Sequence, residues 1–273
     1  MTLDVLVSPA IFSEKAILAI LEEFPEWNVV LDSGAFTNFK KGKDVITLDW
    51  FAGFLREHGD RFTHYFNLDV IGDHAASMAR LRALQDQGLS PVPVFQRGGS
   101  VEDLQGLLDA FPLVGIGGIA GTLNRKGDRE YLHRVMRAVG PRRKQVHLLG
   151  VGQQDILLDY RPFSADVSSG GYRAQGFGML ELWNGTEWVR FTRKKSIRPD
   201  IDRSRALASY DLEWRDLARM GAWRENGDRA AGIASVRGWM RYANTLRRMG
   251  VRLVLVLHPR IMKSFRDAWR LEA

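Results

Sequence analysis

The chain has no cysteine among its 273 residues. That excludes a disulfide framework, thiolate-held zinc or iron–sulfur clusters, and a cysteine nucleophile. No apolar run approaches the ~18 residues that a membrane span requires. The opening Met1-Thr2-Leu3-Asp4 lacks the basic stretch of a secretory leader, so a cytoplasmic protein with no membrane partner is expected. The six histidines form no i, i+4 pair and no HExxH motif, so metal catalysis is not indicated. His147, inside an apolar run, reads as structural. There is no GxSxG elbow, no P-loop, and no GxGxxG after the first apolar run. With 45% hydrophobic and 26% charged residues, disorder and coiled coil are also excluded.

What is present is a repeating order of short apolar runs and amphipathic stretches. Strands are predicted over residues 5–8, 29–31, 65–68, 92–95, 114–116, 146–149, 164–165 and 253–257. Helices are predicted over residues 13–24, 48–57, 73–87, 100–110, 129–139 and 154–159. Ser13 and Ser100 are candidate N-caps, and Gly88 and Gly140 candidate C-terminal stops. Eight strands alternating with helices predict an α/β protein built as a (β/α)8 TIM-like barrel over one domain, residues 1–273. The pattern changes late. Residues 177–191 read as a β-hairpin with an Asn184-Gly185 turn. Helical patterns follow at 204–220 and 236–249, so residues 177–250 form an inserted hairpin and a basic helical region.

Charge is uneven along the chain. Residues 190–273 hold 20 Lys/Arg against 9 Asp/Glu, whereas the first 189 residues hold 19 against 23. A basic third on a slightly acidic body is the electrostatic footprint expected for a polyanion. Arg190, Arg193, Lys194, Lys195 and Arg198 form its densest run, a candidate phosphate track. Trp188, Trp214, Trp223, Trp239 and Trp269 are interleaved with the basic residues, and most of them are expected in the core.

Chemistry in such a barrel sits at the C-terminal ends of the strands. Those ends hold Asp32-Ser33-Gly34-Ala35-Phe36, Asn67-Leu68-Asp69, Phe95-Gln96-Arg97, Gly117-Gly118-Ile119-Ala120, His147-Leu148-Leu149-Gly150-Val151-Gly152 and Ser164-Ala165-Asp166. Three carboxylates, an amide and several glycines would therefore share one mouth. Carboxylates in such a place can act as nucleophile or as general acid and base. Asp73, by contrast, opens a helix and reads as an N-cap.

These motifs, in this order from about residue 29 to 191, resemble the tRNA-guanine transglycosylase superfamily. The closest likeness is to its short phage-type members, which include enzymes that put 7-deazaguanines into DNA. The resemblance implies that Asp166 is the nucleophile that attacks C1′ of the target nucleoside. It implies that Asp32 is the general acid and base, and that Phe36 and Leu149 sandwich the base. Asp69 would read the guanine edge, with Gln96 and the Gly117-Gly118-Ile119 backbone on the other edges.

Two departures refine the expectation. The zinc module of the family's tRNA enzymes needs cysteines, which favours DNA over tRNA as the polymer. Ile119-Ala120 leads to Gly121-Thr122-Leu123 with no acid to hold a cationic arm, which favours a neutral, preQ0-like base. The implied activity is exchange of guanine in DNA for a free 7-deazaguanine base through an aspartyl–sugar intermediate, with no cofactor and no metal. The alternative is the same exchange on tRNA with a queuine- or preQ1-type base. A barrel that only binds nucleic acid would need neither Asp32 nor Asp166. A two-carboxylate glycosidase would not need the basic third.

Overall fold

Short β-branched and apolar runs form strands where both faces of the sheet are covered, so the strands read as continuous apolar stretches. The computed structural model describes residues 2–119, 126–168, 179–192, 200–218 and 229–272. Two compact units are present, residues 2–167 with 250–254 and residues 168–249 with 255–273. Among the described residues no helix is long and apolar enough to cross a membrane.

The first unit alternates strands and helices: β1 (Asp4–Val7), α1 (Glu14–Glu23), β2 (Asn28–Leu31), α2 (Ala35–Lys41), α3 (Leu48–His58), β3 (His64–Tyr65), α4 (His74–Gln85), β4 (Val94–Phe95), α5 (Val101–Ala110), β5 (Val114–Ile116), α6 (Lys126–Val139), β6 (Val146–Leu148), α7 (Gln154–Tyr160) and β7 (Ser164–Val167). After the second unit's strands β8 (Met179–Trp183) and β9 (Trp188–Thr192), β10 (Arg252–Val256) completes an eight-stranded sheet in the order β3-β2-β1-β10-β7-β6-β5-β4. The sheet is parallel and strongly curled into a half-barrel. Between its two end strands lies a parallel bridge, Phe66 to Val92, with Asn67 N–H donating to Val92 O at 2.9 Å and Val92 N–H to Tyr65 O at 2.8 Å. Val5, Val7, Leu31, Leu68, Val94, Ile116, Val146, Leu148 and Ala165 are fully buried in it.

Side chains fix the helix starts. The Ser13 hydroxyl accepts from Ala16 N–H, and Asp73 accepts from Ala76 N–H at 2.9 Å, as expected of N-caps. Ser100 and Asp103 form a reciprocal capping box. α2 was not predicted: it begins at Gly34 in a left-handed conformation with no side-chain cap, so the sequence holds no start signal for it. Strand β7 runs two residues past its predicted end, so Asp166 lies within the strand rather than beyond it.

The second unit is built on the β8–β9 hairpin, paired antiparallel with Trp183 opposite Trp188. The Asn184 side chain accepts from both Thr186 and Glu187 N–H at 2.9 Å, which turns the chain in four residues. Leu180, Leu182 and Phe191 pack with Leu207, Tyr210, Leu212 and Ala234. The helix predicted at 204–220 is two helices, α8 (Ile201–Ala208) and α9 (Trp214–Ala218), separated where Asp211 takes a φ of 61°. Helix α10 (Arg229–Arg248) lies against β8. A Cβ on Gly238 would sit 3.0 Å from Glu181 O, so only glycine allows that approach. Helix α11 (Met262–Glu272) supplies Glu272, which holds Arg237 at 2.7 Å and Arg241 at 2.9 Å. Trp239 and Trp269 are buried and Trp188 and Trp214 half-buried, so these four serve packing; Trp223 lies outside the described residues.

Candidate active site

Parallel strands bring their C-terminal ends to one edge of the sheet, and the first unit holds every carboxylate singled out there. Asp32 follows β2, Asp69 lies four residues after β3, and Asp166 is in β7. They are close enough to repel: Asp166 acts on Asp32, and Asp32 on Asp69.

The best-defined arrangement surrounds Asp166. Strands β6 and β7 pair His147 with Ser164 and Leu148 with Ala165. Alternation along β7 then puts Ser164 and Asp166 on one face, beside the His147 ring. His147 is fully buried, with Nδ1 2.8 Å from Ser164 Oγ and Nε2 3.1 Å from Asp166 Oδ1. With the carboxylate oxygen as acceptor, Nε2 is the donor to Asp166, and Nδ1 meets the Ser164 hydroxyl, which can donate or accept. Gly150 N–H also donates to Asp166 Oδ1, at 2.8 Å. Two donors therefore converge on one carboxylate oxygen. Phe66 lies against the His147 ring, centroids 4.7 Å apart, and His64 packs edge-on to Phe66. Burial, then the neighbouring His147 and Arg252, push His64 down to about 4, so it adds no positive charge beneath the site near neutrality.

Asp32 accepts from Gly34 N–H at 3.0 Å and from the Ser8 hydroxyl. Burial raises its pKa above the usual carboxylate range; the Ser8 and Gly34 bonds oppose that rise, and the Asp166 charge adds to it. Asp69 is 6% exposed. Its pKa is pushed up to about 7 by burial first and then by Asp32, against the Gln96 hydrogen bond.

Gln96 is wholly buried with both ends of its amide engaged. Nε2 donates to Asp69 Oδ2, and Oε1 accepts from Gly72 N–H at 3.2 Å. Gln96 thus orients Asp69. A Cβ on Gly117 would fall 2.2 Å from Gln96 Nε2, so any side chain there would displace the amide. Gly118 is left-handed, and its carbonyl accepts from Arg97 Nε at 3.0 Å. Arg97 is itself held by Asp128 and by the Tyr131 ring, 4.5 Å away. Ile119 is fully buried, and Ala120 lies outside the described residues. Phe36 stands 43% exposed on α2. Leu149 is half-buried, with Cδ1 3.4 Å from where a side chain on Gly115 would begin.

Of the predicted phosphate track, Arg193, Lys194, Lys195 and Arg198 lie outside the described residues. Arg190 is in β9, with Nε 3.0 Å from the buried Glu181. The nearest approach to a metal-ligand set among the described residues is Glu14, Glu57 and His58, where both carboxylates face solvent and pair with His58 at 3.4 and 3.6 Å.

Sequence reading treated His147 as structural and did not single out Ser164 or Ser8. The first two were legible in principle. A histidine in one parallel strand beside Ser-Ala-Asp in the next gives this geometry once the register is known. Compared with protein-family models and with curated proteins, the chain matches none.

Proposed function

We propose that the chain is a guanine transglycosylase that exchanges guanine in DNA for a free 7-deazaguanine base, on a sheet closed into a (β/α)8 barrel. The Phe66–Val92 bridge and its flanking hydrogen bonds support closure. The observation that carries the reaction is the Asp166 carboxylate, with Oδ1 held by His147 and Gly150 and a raised carboxyl, Asp32, within electrostatic reach.

With two donors on Oδ1, Oδ2 is the oxygen left to attack C1′ of the target nucleotide. The C1′–N9 bond breaks and its electron pair leaves with guanine. Asp32, protonated, gives its proton to the departing purine, so guanine leaves neutral. A covalent ester then joins Asp166 to the sugar. The incoming base loses its N9 proton to Asp32 and attacks C1′, and the ester electrons return to Asp166. Both half-reactions pass through one pair of carboxylates. The target base has to leave the helical stack to reach them. Incubation with labelled guanine and either DNA or tRNA tests the reading: label entering DNA supports it. Label entering only tRNA transfers the chemistry to that polymer, and label entering neither overturns it.

Asp69 supplies a pH signature. Only the ionised carboxylate accepts from guanine N1–H and the 2-amino group together. Its pKa of about 7 means that base affinity should rise as pH increases toward 7 and level off above it. Asp69→Asn should flatten that dependence and cost about 10- to 100-fold in guanine affinity. Calorimetric titration with guanine from pH 5 to 8 measures both, and an unchanged profile in the variant would remove Asp69 from base recognition.

His147 is a positioning residue on this reading. His147→Ala should lower kcat about 100-fold through misplacement of Asp166, with the KM for base within a few-fold. His147→Gln, which keeps an N–H donor, should recover part of the loss. Equal losses in both variants, or a loss confined to KM, would mean that the imidazole does not aim the carboxylate.

A further inference from the structure

We propose that α2 and the cleft beside it bind the nucleic-acid strand flanking the exchanged nucleotide, with Phe39 stacking on the adjacent base and Lys40, Lys41 and Lys43 holding its phosphates. This rests on the transglycosylase reading for its placement beside the exchanged base, though not for the surface itself.

Helix α2 begins three residues after Asp32 and is hydrophobic on the wrong side for packing. Phe36 and Phe39, spaced i, i+3, share a face and are 43% and 60% exposed. Apolar side chains left in water next to a set of buried carboxylates mark a binding surface rather than a core face. The same helix ends in Lys40 and Lys41, and Lys43 follows Gly42. Among the described residues none of these three lysines has a carboxylate partner, whereas Lys40 Nζ lies 4.5 Å from the centroid of the Phe36 ring. Asp44, the acid next in the chain, is already taken by Arg80 at 3.2 Å. Among the described residues these lysines are therefore left without an ion pair, and aromatic and cationic groups alternate as they do on surfaces that hold single strands.

The wall beside the helix is built. Asn38 is buried, and its Oδ1 accepts from Val45 N–H at 2.8 Å and Ile46 N–H at 3.0 Å. Its Nδ2 donates to Ile46 O at 2.8 Å. These bonds fix the loop after α2 against the helix. The result is a cleft of about 340 Å³ lined by Asn38, Phe39, Lys43, Arg80 and Asp69 among others. That volume is at the small-ligand end of pocket sizes and suits one nucleoside. Asp69, assigned to the edge of the exchanged base, also lines the cleft, so the two places share that residue. A strand passing through it would put the next nucleotide against Phe39 and its phosphates against the lysines.

The experiment uses the whole chain and short single-stranded DNA and RNA oligonucleotides with a central guanine and a neighbouring 2-aminopurine. Wild type should quench the 2-aminopurine on binding. Phe39→Ala should abolish the quenching and weaken binding about tenfold, with Phe39→Trp restoring both. Changing Lys40, Lys41 and Lys43 together to Ala should lower the salt slope of binding by about 2, at roughly 0.7 per phosphate contact. Free-guanine affinity should be unchanged in every variant, which controls for folding. Quenching and a salt slope unchanged in the variants, alongside a wild type that does exchange bases, would overturn the strand site alone. Loss of strand binding in the variants of a chain that exchanges no base into either polymer would uphold the surface and overturn the transglycosylase reading. The polymer whose binding the substitutions weaken more identifies the strand.

Discussion

Asp166→Asn is expected to abolish base exchange, by more than roughly 1000-fold, while leaving nucleic-acid affinity within a few-fold. Asparagine keeps the shape of the side chain and can still meet Gly150 N–H, but its amide has no charge with which to form a sugar ester. The effect should be large because the protein has built so much around one oxygen. Gly150 and His147 both point at Oδ1, and Ser164 fixes the imidazole from behind. Such an arrangement pre-orients the remaining oxygen, to which no group among the described residues donates. Wild type incubated with a guanine-containing oligonucleotide and no incoming base should form a denaturation-resistant protein–DNA adduct, and Asp166→Asn should form none. Asp166→Ala retaining more than a tenth of wild-type exchange, or an adduct that persists in Asp166→Asn, would sink the nucleophile assignment.

The sequence made most of the first unit legible because its strands are short, mostly apolar runs separated by capped helices. Ser13, Asp73 and Ser100 each start a helix where expected, and the eight predicted apolar runs all contribute to the sheet. What escaped was anything set by register or by left-handed backbone. The helix at Ala35–Lys41 opens on Gly34, which offers no capping side chain. The break at Asp211 depends on a positive φ that no pattern of polarity announces. At the site, the three carboxylates were legible as strand-end residues. Their partners were not, because His147 against Asp166 and Gln96 against Asp69 are contacts between neighbouring strands and loops, 19 and 27 residues apart in the chain. Gln96 shows the limit well. Its residue type suited a contact with the base; what the sequence does not announce is that its buried amide also bonds Asp69 and Gly72.

Asp32→Asn is expected to slow exchange by about 10² to 10⁴-fold, the range for loss of a positioned general acid and base. Burial raises the Asp32 pKa, and the Asp166 charge raises it further. A carboxyl so placed keeps its proton to higher pH than an exposed one and can hand it to a departing purine. Having done so, it is the base that the incoming purine needs. The sign of the pH effect follows. On the proposed mechanism release of guanine uses protonated Asp32, so the wild-type rate should fall on the alkaline side as that proton is lost. The proposed base recognition uses ionised Asp69, so the rate should fall on the acid side as well. The three carboxylates interact, so the two limbs report macroscopic values of the set. Asp69→Asn should erase the acid limb and Asp32→Asn the alkaline one. An oligonucleotide bearing 7-methylguanine separates the roles more sharply. That base is cationic and leaves without being protonated, so Asp32→Asn should release it at close to the wild-type rate, whereas Asp166→Asn should not release it at all. If Asp32→Asn releases guanine and 7-methylguanine with the same deficit, the proton does not come from Asp32, and the acid must be sought among the other carboxyls of the site.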